Sequence, residues 1–433
     1  MTTDNTNRAQ IVVLGGGFAG SEATRTLERL LKRRDDVDVT LVSRDNFFVM
    51  TPLLFEACSG RLELRHCAQP LRPTLHRTQF VEATVERVDV ERRVVTVSAP
   101  EDGPREIPYD QLIIALGATT NLSLIPGSRA ALTFKTMADA LVLRNHVIER
   151  FERADATHDA ALRRRLLTIV VIGGGLVGVE LLGELTAFAE DVLRYYPRIK
   201  LDELRFHLIE ASPRILPEIE SRMAELSKQE LLERGVELHL ASPVRGIEPR
   251  SVHLANDEMI EADTIVLAAG IVPSLEVQRM GVTHDKRGRI VVDEAMRCTS
   301  HPDVWALGDC AEIPGPDGRP YPALAQHALR EARHVARNVV AVIDRHEPKP
   351  FRFRSLGTMV ALGHSRAVAQ VGSMQFTGFF AWWFRRTYYL FQMPRWDRRL
   401  RIVLDWTIAL FFKPDITKVE LSVEQPVSVS AVS

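Results

Sequence analysis

The sequence predicts an α/β protein with two parallel-sheet domains, the second inserted in the first, and an amphipathic C-terminal region. Three observations predict it. An apolar β-branched run meets a glycine cluster twice, at Ile11–Gly20 and at Ile169–Gly178, and a helix-like pattern follows each cluster. Each cluster is followed at a comparable distance by an apolar strand ending in glycine: Tyr109–Gly117 and Asp263–Gly270. The simplest account is an internal duplication. Last, Gln375–Lys413 concentrates aromatic residues and arginine.

Bulk composition sets limits. At 433 residues the chain is long for one domain. With 45% hydrophobic and 26% charged residues it reads as a folded protein without a disorder signature. A formal net charge of −1 argues against bulk attraction to nucleic acid. Cys58, Cys67, Cys298 and Cys310 are widely spaced and form no Cys-x-x-Cys, so no metal site or dithiol motif is expected and a reducing, cytoplasmic setting fits. Met1–Gln10 carries no signal-peptide pattern, and no apolar run reaches the roughly 18 residues needed to span a bilayer.

In chain order, Ile11–Leu14 reads as a strand, a helix runs to about Arg34, and Val37–Val42 is the second strand of a βαβ unit. In such a turn, Gly15 permits the tight bend, Gly17 lets backbone approach a pyrophosphate, and Gly20 lets helix pack on strand. An acid is expected where the second strand ends; Ser43 stands there, able to hydrogen-bond a hydroxyl. A glycine-rich turn binding nothing is the bland alternative. Phe47–Gly60 is too apolar for a surface loop and is expected to line a buried ligand or an interface. Val81–Val97 alternates like paired strands with Glu91-Arg92-Arg93 at the turn. Gly117 ends its strand where backbone can approach a cofactor.

Met137–Arg165 has a helical pattern and reads as a connector. Leu166–Ile172, a helix over Leu176–Tyr195 and Arg205–Ile209 form the second βαβ unit, with Arg194–Glu203 a loop insertion. Gly173, Gly175 and Gly178 repeat the first turn. Here the strand does end in an acid, Glu210, placed to accept both ribose hydroxyls of an adenosine and to repel a 2′-phosphate. That favours NADH; a solvated strand-end acid is the alternative. Val304–Ala311 carries Gly308-Asp309, and a helix opens near Tyr321 and continues to about Ile343.

These motifs together resemble the pyridine nucleotide-disulfide oxidoreductase superfamily with two dinucleotide domains, in which the first turn binds FAD and the second NAD(P)H. Within it the chain resembles the type II NADH:quinone oxidoreductases, on Thr51-Pro-Leu-Leu-Phe-Glu-Ala-Cys-Ser-Gly60, on Gly178-Val-Glu180 with Gly183-Glu184-Leu185, and on Gly357–Gly363. The likeness covers nearly the whole chain. It implies hydride transfer from NADH to FAD and two-electron reduction of a membrane quinone, ubiquinone or menaquinone, without proton pumping. It places Gly15, Gly17, Gly20, Ser43, Pro52, Gly117, Gly308, Asp309 and Ala325 at FAD. Gly173, Gly175, Gly178, Glu210 and Gly270 are placed at NADH. Glu180 becomes a candidate catalytic residue that orients the nicotinamide or relays a proton; a carboxylate stabilised by the helix N-terminus is the structural alternative. The family's quinone-site pattern Ala-Gln-x-Ala-x-Gln reads Ala325-Gln326-His327-Ala328-Leu329-Arg330 here. Gln326 therefore stands as a second candidate catalytic residue, beside the quinone headgroup. Arg330 departs from the pattern; it stands as a second quinone-site candidate, with binding a carboxylate, pairing with an acid or facing solvent as the alternatives.

The resulting limits are 1–130 with 264–350 for the FAD domain, 131–263 for the NADH domain, and 351–433 for a membrane-association or dimer region. Gln375–Lys413 holds four of the five tryptophans and six arginines, with Asp397 and Asp405 its only acids. This composition suits an interfacial helix pair whose guanidinium groups meet anionic lipid at the cytoplasmic face of the cell membrane. It equally suits a homodimer interface. Nucleic acid is not expected as a partner, because no recognition motif accompanies the basic residues. After Pro414 the end is expected to fray. A sulfide:quinone-type reductase, a ferredoxin-type reductase and a flavin-binding protein without turnover remain the alternatives.

Overall fold

The computed structural model describes residues 8–99, 103–355 and 357–419. Strand β1 (Ala9–Leu14), helix α1 (Phe18–Leu30) and strand β2 (Val37–Ser43) form the first βαβ unit, with Val12 opposite Thr40 in parallel register. Helix α2 (Thr51–Cys58) buries Leu53 to Cys58 without a break, as its apolar sequence requires. Strands β3 (Gln79–Glu82) and β4 (Gln111–Ile114) extend the parallel sheet on either side. Of the expected Val81–Val97 pair, Val81 joins β3, while Thr84–Asp89 and Val94–Ala99 form the antiparallel hairpin.

Helix α3 (Met137–Ala156) starts on a capping box in which Thr136 and Asp139 satisfy each other's backbone N–H groups. It is more than a connector, since Leu143, Val147 and Phe151 are core residues. Strand β5 (Thr168–Ile172), helix α4 (Leu176–Val192), and strands β6 (Arg205–Ile209), β7 (Val236–His239) and β8 (Thr264–Leu267) build the second sheet, in the order Leu132–Thr133, β8, β5, β6, β7, all parallel. The chain then returns to the first sheet. Strand β9 (Val304–Ala306) pairs with β4, giving the order β9, β4, β1, β2, β3, and helix α5 (Ala325–Ile343) packs on α1. Four strands share one connectivity in the two sheets, β4-β1-β2-β3 and β8-β5-β6-β7, whereas the fifth comes last in the first sheet (β9) and first in the second (Leu132–Thr133). Each sheet also carries a three-stranded antiparallel sheet, at 84–108 and at 244–261. Both five-stranded sheets read as near-continuous apolar strands because both faces are covered.

One expected limit moves. Thr264–Leu267 pairs with Thr168–Ile172, so the second domain extends past residue 263. The reason lies in the duplication: this strand is the counterpart of β4 and belongs inside its own sheet. The two passages between domains, Ala118–Thr120 and Ile271–Pro273, lie side by side as an antiparallel ribbon.

The C-terminal region starts with an antiparallel sheet of β10 (Gly357–Ala361), β11 (Ala367–Val371) and β12 (Met374–Thr377). Helices α6 (Gly378–Gln392) and α7 (Trp396–Phe411) follow, the expected helix pair. Gly183 lets α4 approach this sheet: a Cβ there would lie 2.6 Å from the Leu362 carbonyl carbon. Among the described residues, no helix is long and apolar enough to cross a membrane. The frayed end expected after Pro414 falls largely outside the described residues.

Candidate functional site

The two glycine turns have nearly superposable logic. Gly15 and Gly173 hold φ of 102° and 113°, where an L side chain is strained. Cβ atoms at these positions would stand 2.3 Å from the Ala115 carbonyl oxygen and 2.8 Å from Ala269. Cβ atoms at Gly20 and Gly178 would stand 1.8 and 1.9 Å from the carbonyl oxygens of Gly15 and Gly173. The middle glycines differ from these four. Gly17 faces open space and Gly175 faces only the Glu218 carboxylate, at 3.1 Å. Each begins its helix as N-cap without a side-chain hydrogen bond, so unpaired N–H groups point into that space. Such a cradle suits a pyrophosphate at both turns.

The strand ends complete the cradles. Ser43, buried at the end of β2, lies against Gly16. Glu210 lies in the same relation to Gly174, and its carboxylate accepts the Gly174 N–H at 2.7 Å, the Ser212 N–H at 2.7 Å and the Ser212 hydroxyl at 2.6 Å. Sequence reasoning missed the acid facing Gly175. Glu218 is held above the ordinary carboxyl range by burial, with Glu210 adding repulsion.

Around the first turn, Gly117 has φ 66° and open space on its Cβ side, whereas a Cβ on Gly270 would meet Leu124 at 2.5 Å. Gly308, at φ 72°, donates its N–H to Glu331 at 2.9 Å. Burial pushes Glu331 up to about 8, so this acid is mostly protonated at neutral pH. Asp309 is half-exposed, 3.6 Å from Lys135. Ala325 is the first residue of α5. The Gln326 amide donates to the Ser355 hydroxyl at 3.0 Å and to the Gly357 carbonyl at 3.2 Å. Arg330 is half-buried; it stacks on Phe353 with its guanidinium carbon 4.5 Å from the ring centroid and donates to the Gln326 carbonyl at 2.9 Å.

Glu180 sits in a sealed ionic cluster between α4, α2 and α6. Its carboxylate accepts the Ala361 N–H at 2.8 Å and lies 3.0 Å from Arg385, which also donates to the Pro52 carbonyl. Burial raises the Glu180 carboxyl, and Arg385 opposes the shift. Beside it, Arg386 makes a two-pronged ion pair with Glu56 at 3.0 and 2.7 Å, to which the Trp406 indole also donates. Burial works against ionised Glu56, but Arg386, with help from Arg385 and the Trp406 indole, holds the carboxyl below its ordinary value. The expectation that all six arginines of this stretch meet lipid is thus corrected for two of them. Arg385 and Arg386 are buried because acids on α4 and α2, far away in sequence, lie under α6. The signal for them was the resemblance segment itself, in which Glu56 is an acid inside an apolar run.

All four cysteines are free and buried, and burial pushes Cys58 and Cys298 up to about 12 and Cys310 to about 11. Such thiols stay protonated at neutral pH and are poor nucleophiles.

Comparison with known proteins agrees with this geometry. The pyridine nucleotide-disulphide oxidoreductase family matches residues 9–332. A type II NADH:quinone oxidoreductase of Mycobacterium tuberculosis, NdhA, is 30% identical over 93% of this chain and 87% of its own length. A probable NADH dehydrogenase of Dictyostelium discoideum is 29% identical over 94% of this chain and 91% of its own. The fold is similar to that of NDH2 from Plasmodium falciparum, solved in complex with NADH: TM-score 0.86 and 20% identity, covering 95% of this chain and all of that one. The chain belongs to the pyridine nucleotide-disulphide oxidoreductase family and, within it, to the type II NADH:quinone oxidoreductases.

Proposed function

We propose that the chain oxidises NADH and passes two electrons to a membrane quinone, with FAD seated at the first glycine turn and NADH at the second. The observation that carries this assignment is the pair of matching cradles with an acid, Glu210, at only one strand end. An acid there accepts ribose hydroxyls and repels a 2′-phosphate, which selects NADH. Bound FAD supplies the two-electron relay between pyridine nucleotide and quinone. Gly15, Gly17, Gly20, Ser43, Gly117, Gly308 and Asp309 would hold it, with Pro52 and Ala325 at its rim. Gly173, Gly175, Gly178 and Gly270 would seat NADH. Glu180 orients the nicotinamide or holds a proton near it, and Arg385 sets its ionisation. Gln326, with Arg330 bracing its backbone, borders the quinone headgroup.

The chain attaches to the membrane through α6 and α7. Support comes from their outer surface, where Phe380, Trp396 and Phe411 are 74%, 75% and 78% exposed among Phe379, Trp383, Leu404 and Ile408. An aromatic and aliphatic surface of this size suits the lipid interface. The same surface is available to a second copy, so a homodimer fits as well. With a reducing setting read from the cysteines, the cytoplasmic face is the expected side.

Anaerobic mixing of the flavin-loaded protein with NADH should bleach the flavin, and ubiquinone or menaquinone analogues should restore its colour. Failure of every quinone to accept electrons would overturn the assignment. Sulfide should not bleach it, because the buried, protonated cysteines offer no thiolate.

A further inference from the structure

Strands β6 and β7 run parallel at the edge of the second sheet, with His207 opposite Glu237 and Ile209 opposite His239. Glu237 and His239 are two residues apart on one strand, so their side chains leave the same face of the sheet. There they meet His207. Its Nδ1 lies 3.1 Å from His239 Nε2 and 3.5 Å from a Glu237 carboxylate oxygen, and one ligand atom from each residue lies within 4.8 Å of the others. Bonds of about 2.0–2.1 Å in a tetrahedral metal centre place neighbouring ligand atoms about 3.3–3.4 Å apart. The two observed distances bracket that value.

We propose that His207, His239 and Glu237 form a site for one divalent cation of the zinc class, with water in the fourth position. One feature beyond the spacing supports it. His239 presents Nε2 to this point while its Nδ1 lies 3.6 Å from Glu258, the side on which metal-bound histidines keep an orienting carboxylate. A hydrogen bond between two neutral rings would account for the 3.1 Å approach alone. One cation accounts for all three groups.

The ligands come from regular strands, so the site is rigid before the metal arrives. Half-exposed Glu237 leaves an entry from solvent. The centre would be structural. It would clamp β6 to β7 where the Glu210 N–H donates to the His239 carbonyl at 2.9 Å, stiffening the strand end that carries Glu210. Sequence motifs did not reveal it, because 32 positions separate His207 from His239 and only the strand register joins them.

The test is metal content by atomic emission after dialysis of the flavin-loaded full chain against micromolar Zn²⁺. One equivalent per chain is expected in the unaltered protein and less than a tenth in H207Q/H239Q. Glu258→Gln, on the surface and safe for folding, should weaken Zn²⁺ affinity about 10–100-fold. NADH oxidation in metal-free buffer should remain in both, as a check of folding. Absence of bound Zn²⁺ in the unaltered protein, equal uptake by the double variant, or unchanged affinity in Glu258→Gln would each overturn the site.

Discussion

The first and second glycine turns share backbone, strand order and packing, yet their charges differ. The first cradle is lined by neutral Ser43, an open Gly17, Glu331 in its protonated form, and Asp309, whose carboxylate lies 3.6 Å from the Lys135 ammonium. The second is lined by Glu210 and Glu218. Two residues past the third glycine, each α-helix buries a glutamate: Glu22, met by Arg333 at 2.6 Å, and Glu180, met by Arg385 at 3.0 Å. Arg333 is part-exposed, whereas Arg385 is sealed. A cradle whose one ionised acid faces a lysine suits a dianionic group held permanently. A cradle guarded by acids suits a ligand that must be selected and then released.

The comparison breaks most visibly at the glycines. Gly178→Ala, with its Cβ 1.9 Å from a carbonyl oxygen, should destabilise the second domain by more than about 3 kcal/mol, read as loss of soluble protein or a lower urea midpoint. Gly17→Ala meets nothing within 4 Å, so the chain should fold but be purified with little flavin. Equal outcomes for the two would mean that the turns do not divide into packing and ligand-facing positions.

Next comes the glutamate pair. Glu180→Gln should lower kcat about 100-fold, the scale of a positioned acid or base. Glu22→Gln should leave kcat unchanged while lowering thermal stability. If both variants keep normal turnover, Glu180 is a packing residue like its counterpart. At the strand ends, Glu210→Ala removes a charged acceptor with an expected effect of about 1.5–3 kcal/mol, a 10–100-fold fall in the NADH over NADPH ratio of kcat/KM. Ser43→Ala should not change that ratio.

Glu331 gives a pH signature. Between its unfolded value near 4.5 and its folded value of about 8, the folded chain holds a proton that the unfolded chain has released. This acid therefore contributes a stability loss that begins near pH 4.5, grows with pH, and is complete above about 8. Glu331→Gln should remove that loss, so the variant should gain on the parent in urea unfolding as pH rises from 5 to 8.5. Equal slopes would show that Glu331 ionises normally. The smallest effect is expected at Glu218, where replacement by Gln should lower KM for NADH a few-fold by removing one negative charge beside the diphosphate.

Much of this was legible in the sequence because it is local. The glycine spacing, the strand-end residues Ser43 and Glu210, and the helix pair over 378–411 each lie within one short stretch. The boundary near residue 263 failed by one strand for an instructive reason: the repeat that revealed the duplication was itself a strand of the second sheet. Arg385 and Arg386 were misread because arginines among aromatics look alike whether they face lipid or buried acids. Only the long-range packing of α6 over Glu56 and Glu180 separates the two cases. Partners so placed are coupled to the fold: removing Glu56 would leave Arg386 as an uncompensated buried charge, at a cost of about 3–5 kcal/mol.

The ribbon of Ala118–Thr120 and Ile271–Pro273 also bears on synthesis. The chain emerges from the ribosome N-terminus first, and domains fold as units as they appear. Strand β4 is complete long before its neighbour β9, and the whole inserted domain is made between them. The outer sheet must therefore wait with one edge bare while the inner domain folds. An edge of this kind is open to pairing with a neighbouring chain until residues 304–306 arrive. Slow translation across the inserted domain would lengthen that wait.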